Sequence, residues 1–231
     1  MPAAPTLVFD LDGTLVDTMG DLSATLNAVL ASLGHAPVPP ESLGSLFGQG
    51  ARALLQRGLA DNGVTADPEL IETLYARFLD HYLANIAVHS RPFPGVIAAL
   101  QRFRARGWRC TICTNKPEYL ARPLLASLGM TGHFDAIVGS DTFSRAKPHA
   151  EPVLGAIARA NGSPARAIMV GDSKTDIDAA RAAGIPVVAV TFGYTSVPVE
   201  KLAPDAIISH FDALDAAVEG LGTLPRTAAN A

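Results

Sequence analysis

The sequence has no basic cluster. Its 18 lysines and arginines are outnumbered by 22 aspartates and glutamates, the formal charge is -4, and the cations nowhere form a run. That excludes the electrostatic footprint of a nucleic-acid binder, and an anionic ligand must be met by cations placed one at a time. No apolar stretch approaches the roughly 18 residues of a spanning helix. The opening MPAAPTLVFD has neither a charged leader nor a long apolar segment, so a soluble cytoplasmic protein with no membrane partner is expected. Cysteine is nearly missing: Cys110 and Cys113 are too few for a disulfide framework. Their C-x-x-C spacing invites a metal or redox reading, but WRCTICT reads as a buried strand, where positions i and i+3 face opposite sides. Two small core hydrophobes are expected there. There is no G-x-S-x-G elbow, Walker loop or G-x-G-x-x-G, which removes the commonest serine-hydrolase, P-loop and dinucleotide readings. His35, His81, His89, His133, His149 and His210 show no ligand spacing.

What is present is ample core material, 48% hydrophobic against 17% charged residues, in a chain of 231. That length suits one domain carrying an insert. Residues 16–89 read as helix after helix with no strand. In the first helix Leu22, Leu26, Val29, Leu30 and Leu33 share a face, Thr18 and Asp21 read as a capping box, and Gly34 is a stop. PVPPES reads as a linker, a second helix follows Gly48 and Gly50, and a third starts at Asp67 and Pro68, cap then first position. From Pro92 helix and strand alternate, the mark of a doubly wound parallel sheet, in which ligands bind at the carboxyl ends of the strands. Pro123 predicts a late start or a kink in its helix. The tail GTLPRTAANA reads as mobile.

The chain is organised around TLVFDLDGTLVDT, residues 6–18, an apolar run that ends in two aspartates at i and i+2. Their side chains point to one side of an extended chain, so Asp10 and Asp12 converge beyond the sheet edge. Carboxylates held that close repel unless a cation lies between them or one is protonated. A hard divalent ion with oxygen ligands, such as Mg2+, is one solution. Asp-Gly is also a common turn.

Three further motifs fall at later strand ends. Thr114 and Asn115 precede a helix start, where a hydroxyl and backbone N–H groups meet phosphate oxygens well, and where a plain helix cap also fits. Lys147, before Pro148, could reach both a nucleophilic carboxylate and a bound phosphate. Asp172 ends the fourth strand, and Ser173 with Asp176 also reads as a capping box.

Taken in order, DLDGT, TN, KP and GDSKTD make the chain resemble the haloacid dehalogenase-like (HAD) hydrolase superfamily over nearly its whole length. The resemblance implies a Rossmann-like α/β core, residues 1–15 and 90–222, with a helical cap, 16–89, inserted after the first strand, and a tail at 223–231. It implies a nucleophile at Asp10, a general acid/base at Asp12, a phosphate-binding hydroxyl at Thr114, a lysine at Lys147 and Mg2+ held by Asp10, Asp12, Asp172 and, in the outer shell, Asp176. An acid at position 12 implies phosphatase or phosphomutase chemistry on a small phosphorylated metabolite. VDTMGDL, TNKPEYLARPLLASLG and VGDSKTDIDAARAAGIPVVAVTFGY look most like the branch acting on 2-phosphoglycolate. Another phosphatase, of a sugar phosphate or pyrophosphate, a phosphomutase and a receiver-like signalling module are the alternatives. Arg52, beside Gly48 to Gly50, is a candidate reader of a small carboxylate.

Overall fold

A computed structural model describes residues 3–222 except residue 196, so the tail expected at 223–231 lies outside the described residues. Strand β1 (Ala4–Phe9) leads into β2 (Val16–Asp17), then helices α1 (Met19–Ser32), α2 (Pro40–Leu43), α3 (Ala51–Asp61) and α4 (Pro68–Ala84), and the chain returns through β3 (Arg91–Pro92). There follow α5 (Val96–Ala105), β4 (Arg109–Cys113), α6 (Glu118–Ser127), β5 (Ala136–Val138), α7 (Ala150–Arg159), β6 (Gly162–Gly171), α8 (Lys174–Ala182) and β7 (Val187–Val190). Strand β8 (Ala206–Ile208) and α9 (Leu214–Gly220) complete the described chain.

Six strands form one sheet in the order β5-β4-β1-β6-β7-β8, with every pairing parallel, as the alternating pattern predicts. Strand β1 lies between β4 and β6, where the order reverses, and ligands of such sheets bind at the carboxyl ends at that point. Both faces are covered, so neighbouring residues enter different cores. Leu7 and Phe9 join one cluster with Cys110, Ile112, Ile168 and Val170, whereas Val8 joins Cys113, Ala167 and Met169 on the other face. The two cysteines thus sit on opposite sides of β4, and burial pushes both thiols up to about 12.

The helices of the insert gather around a third cluster, with Leu26, Leu30, Leu54, Leu59, Leu74, Phe78 and Tyr82 buried in it. Leu120 and Tyr194, from the sheet portion, pack into the same cluster and so join the two parts. Helix α4 begins as its sequence predicts: Asp67 Oδ1 accepts the Leu70 N–H at 2.8 Å, and Pro68 follows the cap.

Four local expectations are corrected. The insert is not strand-free, because Val16 and Asp17 pair antiparallel with Pro92 and Arg91 at its two ends. The stretch read as a linker, PVPPES, already begins α2 at Pro40, and a 3-10 turn, Gly44–Gln49, follows it. Helix α6 begins at Glu118 and runs on past Pro123, so of the two effects expected of that proline the late start is absent. Thr18 caps α1 without a side-chain hydrogen bond, so there is no capping box. Asp21 instead crosses to the returning strand, where it accepts His89 N–H at 2.7 Å, Ser90 N–H at 2.9 Å and Ser90 Oγ at 2.5 Å. That carboxylate staples the entry and exit of the insert. Asp21→Ala would orphan two backbone donors, at a cost of about 3 kcal/mol. The expected result is a Tm lower by roughly 6–12 °C for a chain of this size; an unchanged melting curve would contradict the staple.

Candidate active site

The sheet's ladder continues through Asp10, whose N–H donates to the Val170 carbonyl at 2.9 Å, and this fixes the acid at the carboxyl end of β1. The chain then reverses within a few residues, with the N–H groups of Leu15 and Val16 both donating to Leu11 O at 3.0 Å. Gly13 makes that turn at φ +80°, and a Cβ there would stand 2.7 Å from Asp172 Oδ2. Gly193 is as tight from the other side, where a Cβ would fall 2.1 Å from the Asp172 Cβ. The backbone therefore closes around Asp172 because two residues nearby have no side chain.

Carboxylate oxygens of Asp10, Asp172 and Asp176 come within 4.8 Å of one another. Asp172 accepts Thr14 Oγ1 at 3.0 Å and Tyr194 N–H at 2.7 Å, one bond to each oxygen. Burial, with Asp176 and Asp10 nearby, pushes Asp172 up to about 8. Asp10 is raised to about 6, by burial first and by Asp176, against the lowering pull of Lys147. Lys147 Nζ lies 2.9 Å from Asp10 Oδ1 and 2.6 Å from Asp176 Oδ1, with its side chain 2% exposed. Burial opposes its charge, yet the two acids raise its proton affinity overall. Asp10 Oδ1, although ion-paired, accepts no hydrogen bond.

Asp176 is engaged on both oxygens. Oδ1 holds Lys147, and Oδ2 accepts Ser173 N–H at 3.1 Å and Ser173 Oγ at 2.6 Å, within a capping box at the start of α8. The capping-box reading of this acid holds, and the same carboxylate also stands in the acid cluster. Asp12 stands apart from the three-carboxylate cluster. Its two oxygens each lie 3.0 Å from Lys116 Nζ.

Thr114 is buried beside this group, and its Oγ1 accepts the Lys116 N–H at 3.1 Å. The Asn115 amide is engaged with main chain, donating to Lys147 O and accepting Lys147 N–H, both at 3.0 Å. It fixes the loop that delivers the lysine. Above the acids lies a cavity of about 310 Å³, lined by Asp10, Asp12, Thr114, Lys116, Asp172 and, from the insert, Tyr82 among others. Arg52 is on its wall, 50% exposed, paired bidentately with Glu72 at 2.6 and 2.7 Å and 3.6 Å over the Tyr75 ring.

Sequence reasoning missed Lys116, Thr14 and Tyr194. Lys116 belongs to the TNKP stretch, but no spacing announces that its ammonium crosses to Asp12. Tyr194 accepts Thr18 N–H at 2.7 Å and Met19 N–H at 3.1 Å and donates to Asp17 Oδ1 at 2.6 Å, while its own N–H holds Asp172. It ties the start of the insert to the acid cluster, a link across 176 residues that only the fold creates.

An acid cluster, a buried lysine and a hydroxyl at the switch point of a parallel sheet, beside an inserted set of helices, define a hydrolase site of the HAD kind. The family model of the haloacid dehalogenase-like hydrolases matches residues 7–190, and the chain belongs to that family. Among curated relatives, the phosphoglycolate phosphatase of Agrobacterium fabrum is 48% identical over 217 residues, covering 94% of this chain and 93% of that one. That of Mesorhizobium japonicum is also 48% identical, over 91% of this chain and 92% of its own. The crystal structure of a predicted phosphoglycolate phosphatase from Haemophilus somnus superposes with a TM-score of 0.84 at 28% identity, covering 94% and 98% of the two chains. No described helix is long and apolar enough to cross a membrane.

Proposed function

We propose that the protein is a Mg2+-dependent phosphomonoesterase that hydrolyses 2-phosphoglycolate to glycolate and phosphate through an aspartyl-phosphate on Asp10. The observation that carries the reading is the convergence of Asp10, Lys147 and Asp172 under one cavity, with Asp12 beside it. The substrate rests on the 48% identity to phosphoglycolate phosphatases.

In the first step an Asp10 carboxylate oxygen bonds to phosphorus, the bond from phosphorus to the ester oxygen breaks, and Asp12 gives its proton to the leaving alkoxide. In the second, a water oxygen bonds to phosphorus, the Asp10–phosphorus bond breaks, and the water's proton returns to Asp12. Lys147 offsets the charge that gathers between Asp10 and the phosphoryl oxygens. The Thr114 hydroxyl holds one of those oxygens, and Asn115 keeps Lys147 in place. Asp12 is fixed by Lys116 within reach of the leaving group.

The donors fit a hard cation: all are oxygens, Asp10 Oδ1 has no hydrogen bond, and burial raises both Asp10 and Asp172. Asp10, Asp172 and the Asp12 carbonyl would hold Mg2+, with Asp176 behind them. The ion would supply charge stabilisation at the transferring phosphoryl group.

Both acids sit above the ordinary carboxylate value near 4, so the folded chain keeps protons that the unfolded chain releases. The contribution of these two acids to metal-free stability therefore falls as pH rises from about 4 to 8. Mg2+ binds the deprotonated acids, so the rise in Tm on adding it is expected to be larger at pH 8 than at pH 5. A shift independent of pH would contradict this.

Residues 16–89 act as a cap over the core of 1–15 and 90–222, and a cavity of about 310 Å³ admits only a small leaving group. The test is phosphate release from a panel of small phosphomonoesters with Mg2+ and with EDTA. Preference for 2-phosphoglycolate, lost in EDTA, is expected; preference for a sugar phosphate would keep the chemistry and refute the substrate.

A further inference from the structure

The steps above leave one cation with little to do for the phosphate, whose charge Lys147 already faces. Lys116 is almost fully buried, its side chain 6% exposed, and its ammonium lies between the Asp12 oxygens and the ring of Tyr82, 4.6 Å from the ring centroid. Burial works against this charge, and Asp12 restores it. Tyr82 is 1% exposed, and its hydroxyl stands beside the Lys116 ammonium, itself a donor, so its O–H finds no acceptor. A buried O–H without an acceptor is held at a cost that a ligand acceptor would recover. Both side chains line the cavity, Lys116 from the sheet's edge and Tyr82 from α4 of the insert.

We propose that Lys116 and the Tyr82 hydroxyl form the subsite for the substrate's carboxylate and so select phosphate esters of α-hydroxy acids. The proposal rests on the phosphatase reading above and assigns its specificity to two residues. Asp12 must stand within about 3 Å of the ester oxygen it protonates, and Lys116 Nζ is 3.0 Å from Asp12. In 2-phosphoglycolate the carboxylate carbon is two bonds beyond that oxygen, so ordinary bond lengths place a carboxylate oxygen within roughly 3.5 Å of it. A carboxylate at that separation reaches Nζ. An ammonium has three donors, so Lys116 can take the substrate without leaving Asp12. Because Tyr82 belongs to the insert, a carboxylate held by both residues also ties insert to sheet when the correct ester is bound.

Arg52 is the competing carboxylate reader. Glu72 already neutralises it through Nε and Nη2, and it is half exposed, so water screens what a further anion would gain there.

The experiment compares kcat/KM for 2-phosphoglycolate and for 2-hydroxyethyl phosphate, which replaces the carboxylate by CH2OH, in wild type, Lys116→Met, Tyr82→Phe and Arg52→Ala, all with Mg2+. Loss of the Asp12 partner slows both esters alike, so the ratio isolates the subsite. The ratio is expected to fall about 100-fold in Lys116→Met, mainly through KM for 2-phosphoglycolate, and about 10-fold in Tyr82→Phe. Tyr82→Phe keeps the buried ring and removes only the hydroxyl, so it reads the subsite in a folded protein. A wild-type preference that persists undiminished in both variants, or that collapses only in Arg52→Ala, overturns the subsite and leaves the phosphatase reading standing. A wild type that hydrolyses neither ester refutes both.

Discussion

Asp10→Asn is expected to abolish phosphate release, by on the order of 10⁴-fold or more, while the protein stays folded. Asparagine keeps the shape of the side chain but offers an amide, which does not form the acyl-phosphate that splits hydrolysis into two steps. Stability should move differently. Asp10 is a buried acid raised to about 6 by burial and by Asp176, so at neutral pH its charge is held at a cost. Replacing it by a neutral group removes that cost while Lys147 keeps Asp176 at 2.6 Å. The metal-free Tm at pH 8 should be unchanged or higher, the pattern of a site whose strain serves chemistry. Measuring kcat and Tm on the same preparation separates the cases; activity within tenfold of wild type would remove Asp10 from the nucleophile's role.

The second large effect is Lys147→Met, expected to lower both activity and stability. Its ammonium is the cation shared by Asp10 and Asp176. Methionine fills much the same volume but leaves two buried carboxylates facing each other, a loss of about 3–5 kcal/mol when one partner of a buried pair is removed. For a chain of this size that is a fall in Tm of roughly 6–20 °C. The kcat should fall by on the order of 10²–10³-fold, since one preorganised charge at the transferring group is gone. Added Mg2+ should recover part of the lost stability, because a second cation then serves Asp10, and little of the activity. Full activity with a lower Tm would reduce Lys147 to a structural counter-ion.

Much of this was legible before folding. The alternation of helix and strand after Pro92 names a parallel sheet because crossovers between parallel strands need helices. Asp10 and Asp172 could be expected at one edge because each follows an apolar run that such a sheet must bury, and their strands, β1 and β6, are neighbours where the order reverses, whereas Lys147 reaches them from the loop after the outer strand β5. What could not be read depends on side chains crossing between distant segments. Asp21 looked like a partner of Thr18 because local spacing shows only local partners, whereas its hydrogen bonds go to His89 and Ser90, 68 and 69 residues away. The ribbon of Val16 and Asp17 with Arg91 and Pro92 has two residues on each side, too short for any periodicity. Lys116 sits beside a threonine whose hydroxyl drew attention as a phosphate ligand, and only the approach of β1 to β4 brings its ammonium to Asp12.

The most direct test of the central claim is to look for the phosphoryl group on Asp10. Asp12→Asn should be mixed with p-nitrophenyl phosphate and Mg2+, whose leaving group needs no proton, then quenched in acid and mapped by mass spectrometry. The account predicts a burst of one nitrophenolate per active site and a phosphoryl mass increment on the peptide containing Asp10, because the water step lacks its base. Steady turnover with no burst and no modified peptide, or a phosphoryl group on any other residue, would contradict it.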